Sequence, residues 1–285
     1  MANEFRLRAV RYVALQILLG IVVIIWLVPL YVALVGGLKT NYEAMTTPIF
    51  VPPLVVDASS YSYAWSQLHR AYINSLIIGL AAAAISTLLG AMAGYEFYVI
   101  SQRHFRVSTA VFTLISFAMF LPMQSVLVPL MIVEVRYLHG VNTYYGPLFA
   151  YLIFYLPMSA MLMSIFASGI PTYLIEAARL DGASDWTIFR KVALPILIPG
   201  VISTFIFVFI LIWNNFFIAF ILNPSPAWRL VPYVENTYIG GYGILYNKAL
   251  ATAVLATLPP LAIFVFLGRY FIRGLATLGG GAKGI

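Results

Sequence analysis

The sequence contains no cysteine. Disulfides, thiol nucleophiles and thiolate metal ligands are therefore excluded. Charge is also scarce. Only 9% of the 285 residues are Asp, Glu, Lys or Arg, and 62% are hydrophobic, whereas a soluble domain carries about 25% charged residues. Water cannot solvate a fold with so little charge, so the chain is an integral membrane protein with helical spans. Histidine is limited to His69, His104 and His139, all near the ends of apolar runs. No histidine pair, carboxylate pair or nucleophile–base constellation appears, which argues against a membrane enzyme. The pattern G-x-x-x-x-G-K-[ST] is missing too, so ATP is not held here by that phosphate-binding loop.

What is present is apolar sequence in long runs, with a mean hydropathy of +0.96. Six segments reach the roughly 20 residues a span needs: 13–35, 74–99, 107–133, 146–168, 193–222 and 249–272. The apolar core of the first is longer than a signal-peptide h-region, and no small-x-small site follows it, so it reads as a span. The net charge is +7. Its basic residues gather at span ends, which points to membrane topology rather than to nucleic acid. With the N-terminus inside, eleven Lys and Arg fall on the inner side and five on the outer. That bias predicts both termini in the cytoplasm. The expected division is a cytoplasmic N-terminus 1–12, a six-helix transmembrane domain 13–272 and a cytoplasmic tail 273–285, an all-α integral membrane fold.

The densest interior charge lies in "EAARLDGASDWTIFRKVALPILIPG", residues 176–200. Pro171 stands near a helix start, where its missing N–H costs nothing. Gly182 breaks the helix, because it takes positive φ without strain. Ser184 or Asp185 can then cap a second helix, with Arg190 and Lys191 expected near its C-terminal end. From these residues alone, an amphipathic helix pair at the inner interface is one reading.

The residues also carry a resemblance. Glu176-Ala177-Ala178, Asp181-Gly182-Ala183, Ile188-Phe189 and Leu194-Pro195 resemble the EAA loop of binding-protein-dependent ABC importer permeases. "NTYYGPLF" at 142–149, "IWNNFF" at 212–217, "ATLPPLAIFVFLGRYFIRGLA" at 256–276 and the tail "GGGAKG" are similar to the carbohydrate, MalG-type subset. The resemblance implies a type I ABC importer permease fold whose loop 171–195 holds a cytoplasmic coupling helix. In such permeases that helix docks into a cleft on a separate ATPase subunit. It implies ATPase coupling through Glu176, Ala177, Ala178, Asp181, Gly182, Ala183, Leu194 and Pro195. It also implies partners: a second related permease, two ABC ATPase subunits that carry ATP and Mg, an extracytoplasmic sugar-binding protein and membrane lipid. No cofactor and no metal belong to this chain, and no nucleic acid is a partner. The tail is expected to reach between the two ATPase subunits.

Substrate contacts are less sharply marked. Gln124 in the third span and Trp213, Asn214, Asn215 and Phe217 in the fifth are candidates for the path. Buried Asn also serves as interhelical glue, and Asn214 is read as structural or gating. Gln124 could equally bond carbonyls freed by Pro122 and Pro129. Glu96 stands near the inner end of the second span, where relatives usually carry a small residue. It is read as snorkelling or paired at the inner interface. Pro259-Pro260 is either a hinge or a fixed kink. In the outer loop 223–248, Tyr238, Gly240, Gly241 and Tyr242 are candidates for contact with the binding protein. The alternative functions are import of a non-sugar solute by the same kind of transporter, or an ion-coupled secondary carrier. The carrier reading is disfavoured, since such carriers need ionisable groups deep in their spans.

Overall fold

A computed structural model describes residues 2–103, 105–119, 122–238 and 245–280. In chain order its helices are α1 (Ala2–Gly37), α2 (Asn41–Thr46), α3 (Ser59–Arg103), α4 (Phe105–Met119), α5 (Met123–Val133), α6 (Tyr145–Ala167), α7 (Thr172–Leu180), α8 (Asp185–Ile188), α9 (Leu194–Trp213), α10 (Phe216–Leu222), α11 (Val231–Thr237) and α12 (Tyr246–Gly280). No strand occurs among the described residues. Among the described residues, five stretches are long and apolar enough to cross a membrane: Arg11–Gly37, Ser59–Val99, Tyr145–Ala167, Asp185–Trp213 and Tyr246–Ile272.

Two expected spans differ from their sequence outline. The third, 107–133, is not one helix but α4 and α5, with Pro122 directly before α5 at φ −59° and ψ 127°. Proline cannot donate to the preceding turn, which weakens a helix there, and at Pro122 the backbone leaves helical geometry. The fifth, 193–222, breaks after Trp213. Asn215 leaves helical geometry at φ −80°, ψ 100° and starts α10 afresh.

The chain forms two compact units, 1–68 with 235–257, and 69–234 with 258–285. In the first, α1 carries exposed apolar side chains from Tyr12 to Tyr31, Trp26 and Ile24 among them, as a lipid-facing span does. Lys39 is nonetheless fully buried. Its Nζ donates to Thr47 Oγ1 at 2.9 Å and to the Pro48 carbonyl at 3.1 Å. The Glu43 carboxylate accepts from the Leu54 N–H at 2.7 Å. These bonds fold the 38–58 loop on itself.

In the second unit α3 packs against α6 at Gly90 and Gly94. A Cβ on Gly90 would stand 2.5 Å from Ser159 Cβ, and one on Gly94 2.5 Å from the Ser164 nitrogen. Small residues four apart let helix backbones approach closely, which drives association where water is absent. Helix α6 packs in turn on α4, α9 and α10.

Candidate coupling loop and transport cavity

The loop after α6 folds as its punctuation predicts. Pro171 sits just before α7 at φ −63°. Gly182 turns the chain at φ +80°, a conformation that costs an L-residue roughly 1–2 kcal/mol. Ser184, rather than Asp185, caps α8, with the Thr187 N–H donating to its Oγ at 3.3 Å. One expectation fails. Helix α8 does not end near Arg190 and Lys191 but continues through a wider π turn, Phe189–Ala193, into α9. The two cations lie in mid-helix, so no terminal dipole acts on them. The extra residue in the turn precedes Pro195, whose ring cannot fit against a regular preceding turn.

The loop is two-faced. Glu176, Ala177, Asp181 and Gly182 are exposed, Ala178, Ala183 and Leu194 are partly buried, and Pro195 is exposed. Leu180 is 89% exposed. On the inner face Ile175, Ile188 and Phe189 share one core with Tyr95 and Val99 of α3, Met163 and Ala167 of α6 and Leu197 of α9. The Tyr98 hydroxyl donates to the Ile170 carbonyl at 2.9 Å. The loop is thus packed onto three spans, with an apolar residue and a carboxylate facing outward.

A cavity of about 430 Å³ opens beside α5, α6 and α9, lined by Met123, Val126, Tyr155, Met158 and Leu211 among others. Asn215 stands behind it. Its Nδ2 donates to the Tyr155 hydroxyl at 3.0 Å and to Met123 Sδ at 3.3 Å, while its Oδ1 accepts from the Ile218 N–H at 3.0 Å. Asn215 therefore clasps α5, α6 and α10, and its amide is fully used. Asn214 is exposed and donates to the Ile210 carbonyl at 2.8 Å, covering the open end of α9. Gln124 and Phe217 are exposed. Trp213, taken from the sequence as a path residue, is buried edge-on to Tyr72 at 5.8 Å and beside Phe209. Its ring fills the interior of its unit because it sits on the face of α9 turned to α3.

A family model described as "Binding-protein-dependent transport system inner membrane component" matches residues 86–277. The chain belongs to that family. It is 47% identical to the glucose import system permease protein GlcU of Saccharolobus solfataricus, over 94% of each chain. It is 31% identical to the melibiose/raffinose/stachyose import permease protein MelC of Bacillus subtilis, over 98% of this chain and 99% of that one. Among solved structures, it superposes with a TM-score of 0.70 on a bacterial ABC transporter involved in the import of the acidic polysaccharide alginate. That match has 21% identity and covers 91% of this chain and 95% of the other. The likeness is one of fold.

As an inner-membrane component of this family, the permease is a multi-pass membrane protein. Several of its loops are knitted by amides. In the larger unit, Asn74 Nδ2 donates to the Ala227 and Arg229 carbonyls at 3.1 Å each, and its Oδ1 accepts from the Tyr144 hydroxyl at 3.2 Å. The Asn142 Oδ1 accepts from the Ser225 N–H at 3.0 Å. In the smaller unit, Tyr238 lies edge-on to Tyr63 at 6.3 Å, and Lys248 Nζ sits 3.8 Å above the Tyr63 ring. Burial and the neighbouring Tyr63 push the Tyr238 phenol up to about 12. Burial pushes the Glu235 carboxyl up to about 7. Gly240, Gly241 and Tyr242 lie outside the described residues, as does the end of the tail from 281 onward.

Sequence reasoning missed Tyr155, for which no local signal exists. It also missed the approach at Gly90 and Gly94, which "GAMAG" spells as G-x-x-x-G. Glu134 is a further omission. It is fully buried after α5, and neither carboxylate oxygen has a hydrogen-bond partner. Among the described residues no three His, Asp or Glu gather as metal ligands do.

Proposed function

We propose that this chain imports a sugar, as a non-catalytic subunit that supplies half of a translocation path. The other half is a second, related permease. Two ATPase subunits carry the ATP and Mg, and an extracytoplasmic binding protein delivers the sugar. Both termini lie in the cytoplasm, in keeping with the lysine and arginine bias.

The observation that carries this reading is the two-faced loop 171–195. Exposed Glu176 and Leu180 offer a charge and an apolar knob to a partner, while Ile175, Ile188 and Phe189 are locked into the core of α3, α6 and α9. A partner that moves the outer face moves the spans with it, which is the mechanical need of an ATP-driven switch. The sugar is supported by the substrates in the relatives' names, glucose for one and melibiose, raffinose and stachyose for the other. The 430 Å³ cavity beside Tyr155 and Met123 is the segment of the path assigned to this chain, and exposed Gln124, Asn214 and Phe217 are its further candidates. Asn215 shapes it by holding Tyr155.

The test is co-purification of the ATPase from membranes that express the complete importer. Glu176→Arg combined with Leu180→Asp should strip the ATPase from a permease that remains folded and membrane-inserted. An ATPase retained at wild-type stoichiometry would remove the loop from the interface.

A further inference from the structure

The loop between α1 and α3, in the smaller unit, turns its charges inward and its apolar side chains outward. Residues 38–58 hold three charged side chains, Lys39, Glu43 and Asp57. Lys39 is 1% exposed and Glu43 8%, and both are bonded within the loop. Asp57 is half-buried, and its carboxylate accepts from the Ser59 N–H at 2.9 Å, where α3 begins. Tyr42, Ile49, Phe50, Leu54, Val55 and Val56 are exposed instead, Leu54 to 86%. A loop that faces water is arranged the other way round, since burying charge is costly.

The loop also doubles back along the span. The Tyr31 hydroxyl donates to the Phe50 carbonyl at 3.1 Å. Tyr31 lies inside the apolar stretch Arg11–Gly37, about 9 Å of helix rise before its end at Gly37. Side chains on a helix lean toward its N-terminus, so Phe50 stands alongside the last turns of α1 and not beyond them. The backbone suits that depth, where unmet polar groups are costly. Pro48, Pro52 and Pro53 bring no N–H. The N–H groups of Thr47, Val51, Leu54 and Asp57 all donate to acceptors within the loop. The Thr46 and Thr47 hydroxyls donate to the Tyr42 and Glu43 carbonyls.

An exposed apolar patch marks a contact with membrane or with protein, and two features favour membrane. The patch continues the exposed apolar face of α1, to which Phe50 is bonded. No charged side chain stands among the exposed residues of 42–56, whereas a protein contact carries a polar rim. We propose that residues 42–56 lie in the lipid of the outer leaflet, with Ile49–Val51 and Leu54–Val56 among the headgroups and upper acyl chains, as an interfacial segment does. Glu43 accepts from Leu54, and Lys39 donates to Thr47 and Pro48, which keeps both charges out of the lipid. The leaflet follows from the orientation given above. The lipid contact itself requires only that α1 spans, and it is independent of the cargo.

The absence of cysteine makes the test direct. Leu54→Cys and Ile49→Cys, one at a time, each place a single nitroxide label on an exposed position that the fold does not need. The labelled permease is assembled with cysteine-free partners into the complete importer, in phosphatidylcholine nanodiscs. Power-saturation spectroscopy then compares collisions with oxygen, which concentrates in lipid, and with a nickel chelate, which stays in water. Oxygen collisions should exceed nickel collisions several-fold at both positions, with or without the binding protein. An excess of nickel collisions puts the segment in water and overturns the proposal. Few collisions with either reagent means a cover of protein, such as the second permease, and overturns it as well. So does a loss of oxygen collisions when the binding protein is added. None of these readouts depends on uptake, so failure here and failure of the import reading are separate results.

Discussion

The side-chain amide of Asn215 donates to the hydroxyl of Tyr155 at 3.0 Å, across 60 residues of chain. The same amide caps α10 through Ile218. One side chain thus both starts a helix and sets the wall of the 430 Å³ cavity. Asn215→Ala removes both functions. It should cost about 1 kcal/mol for the cap and about 1 kcal/mol for the buried bond, lowering the melting temperature in detergent. Asn215→Ser keeps a cap and should recover the first part only. A double-mutant cycle with Tyr155→Phe should return a coupling of about 0.5–1.5 kcal/mol; a coupling of zero would show that the pair is not a working contact.

Gly182 has open space where a Cβ would stand, so only its φ of +80° resists substitution. The order of damage should therefore follow backbone tolerance. Gly182→Asn should be mildest, Gly182→Ala intermediate at roughly 1–2 kcal/mol, and Gly182→Val worst. ATP-coupled uptake of the three variants reads this out. Equal activity in all three would contradict the turn.

Gly94 fails for the opposite reason. Its Cβ would meet the Ser164 nitrogen at 2.5 Å, so Gly94→Ala should force α3 and α6 apart at a cost of about 1–3 kcal/mol. Gly20, with nothing within 4 Å, is the control. Gly20→Ala should be neutral or slightly stabilising. Thermal unfolding of both variants in one detergent compares them directly.

Burial raises Glu235 from its ordinary 4.5 to about 7. A carboxyl that holds its proton more tightly folded than unfolded gives its full stabilisation below pH 4.5. It loses that stabilisation as pH rises toward 7, and the curve is level above. Melting temperature measured across that window should fall for wild type relative to Glu235→Gln. Parallel curves for the two proteins would place the carboxyl in water.

The fold and the loop were legible from unlike signals. Length and apolarity outlined the spans, and the turn at Gly182 and the cap at Ser184 were written in local residue types. Pro122 and Asn215 were visible as breakers in the third and fifth spans, but hydropathy averaged over them hid the breaks. The continuation of α8 through a π turn was hidden because Arg190 and Lys191 resemble a helix end. Tyr155 was illegible. A tyrosine in an apolar helix gives no sign of which distant amide reaches its hydroxyl. The burial of Trp213 was illegible for the same reason, since composition shows an aromatic ring but not the side of the helix that carries it.

On the proposed reading, ATP hydrolysis on a partner drives sugar through this chain by way of the 171–195 loop. Initial-rate uptake of radiolabelled D-glucose into proteoliposomes decides this. These hold the complete importer with the binding protein outside and ATP inside. Uptake should require hydrolysable ATP, withstand a protonophore and be lost when Glu176→Arg and Leu180→Asp are combined. Uptake that persists with a non-hydrolysable analogue, or that collapses with the proton gradient, would contradict it.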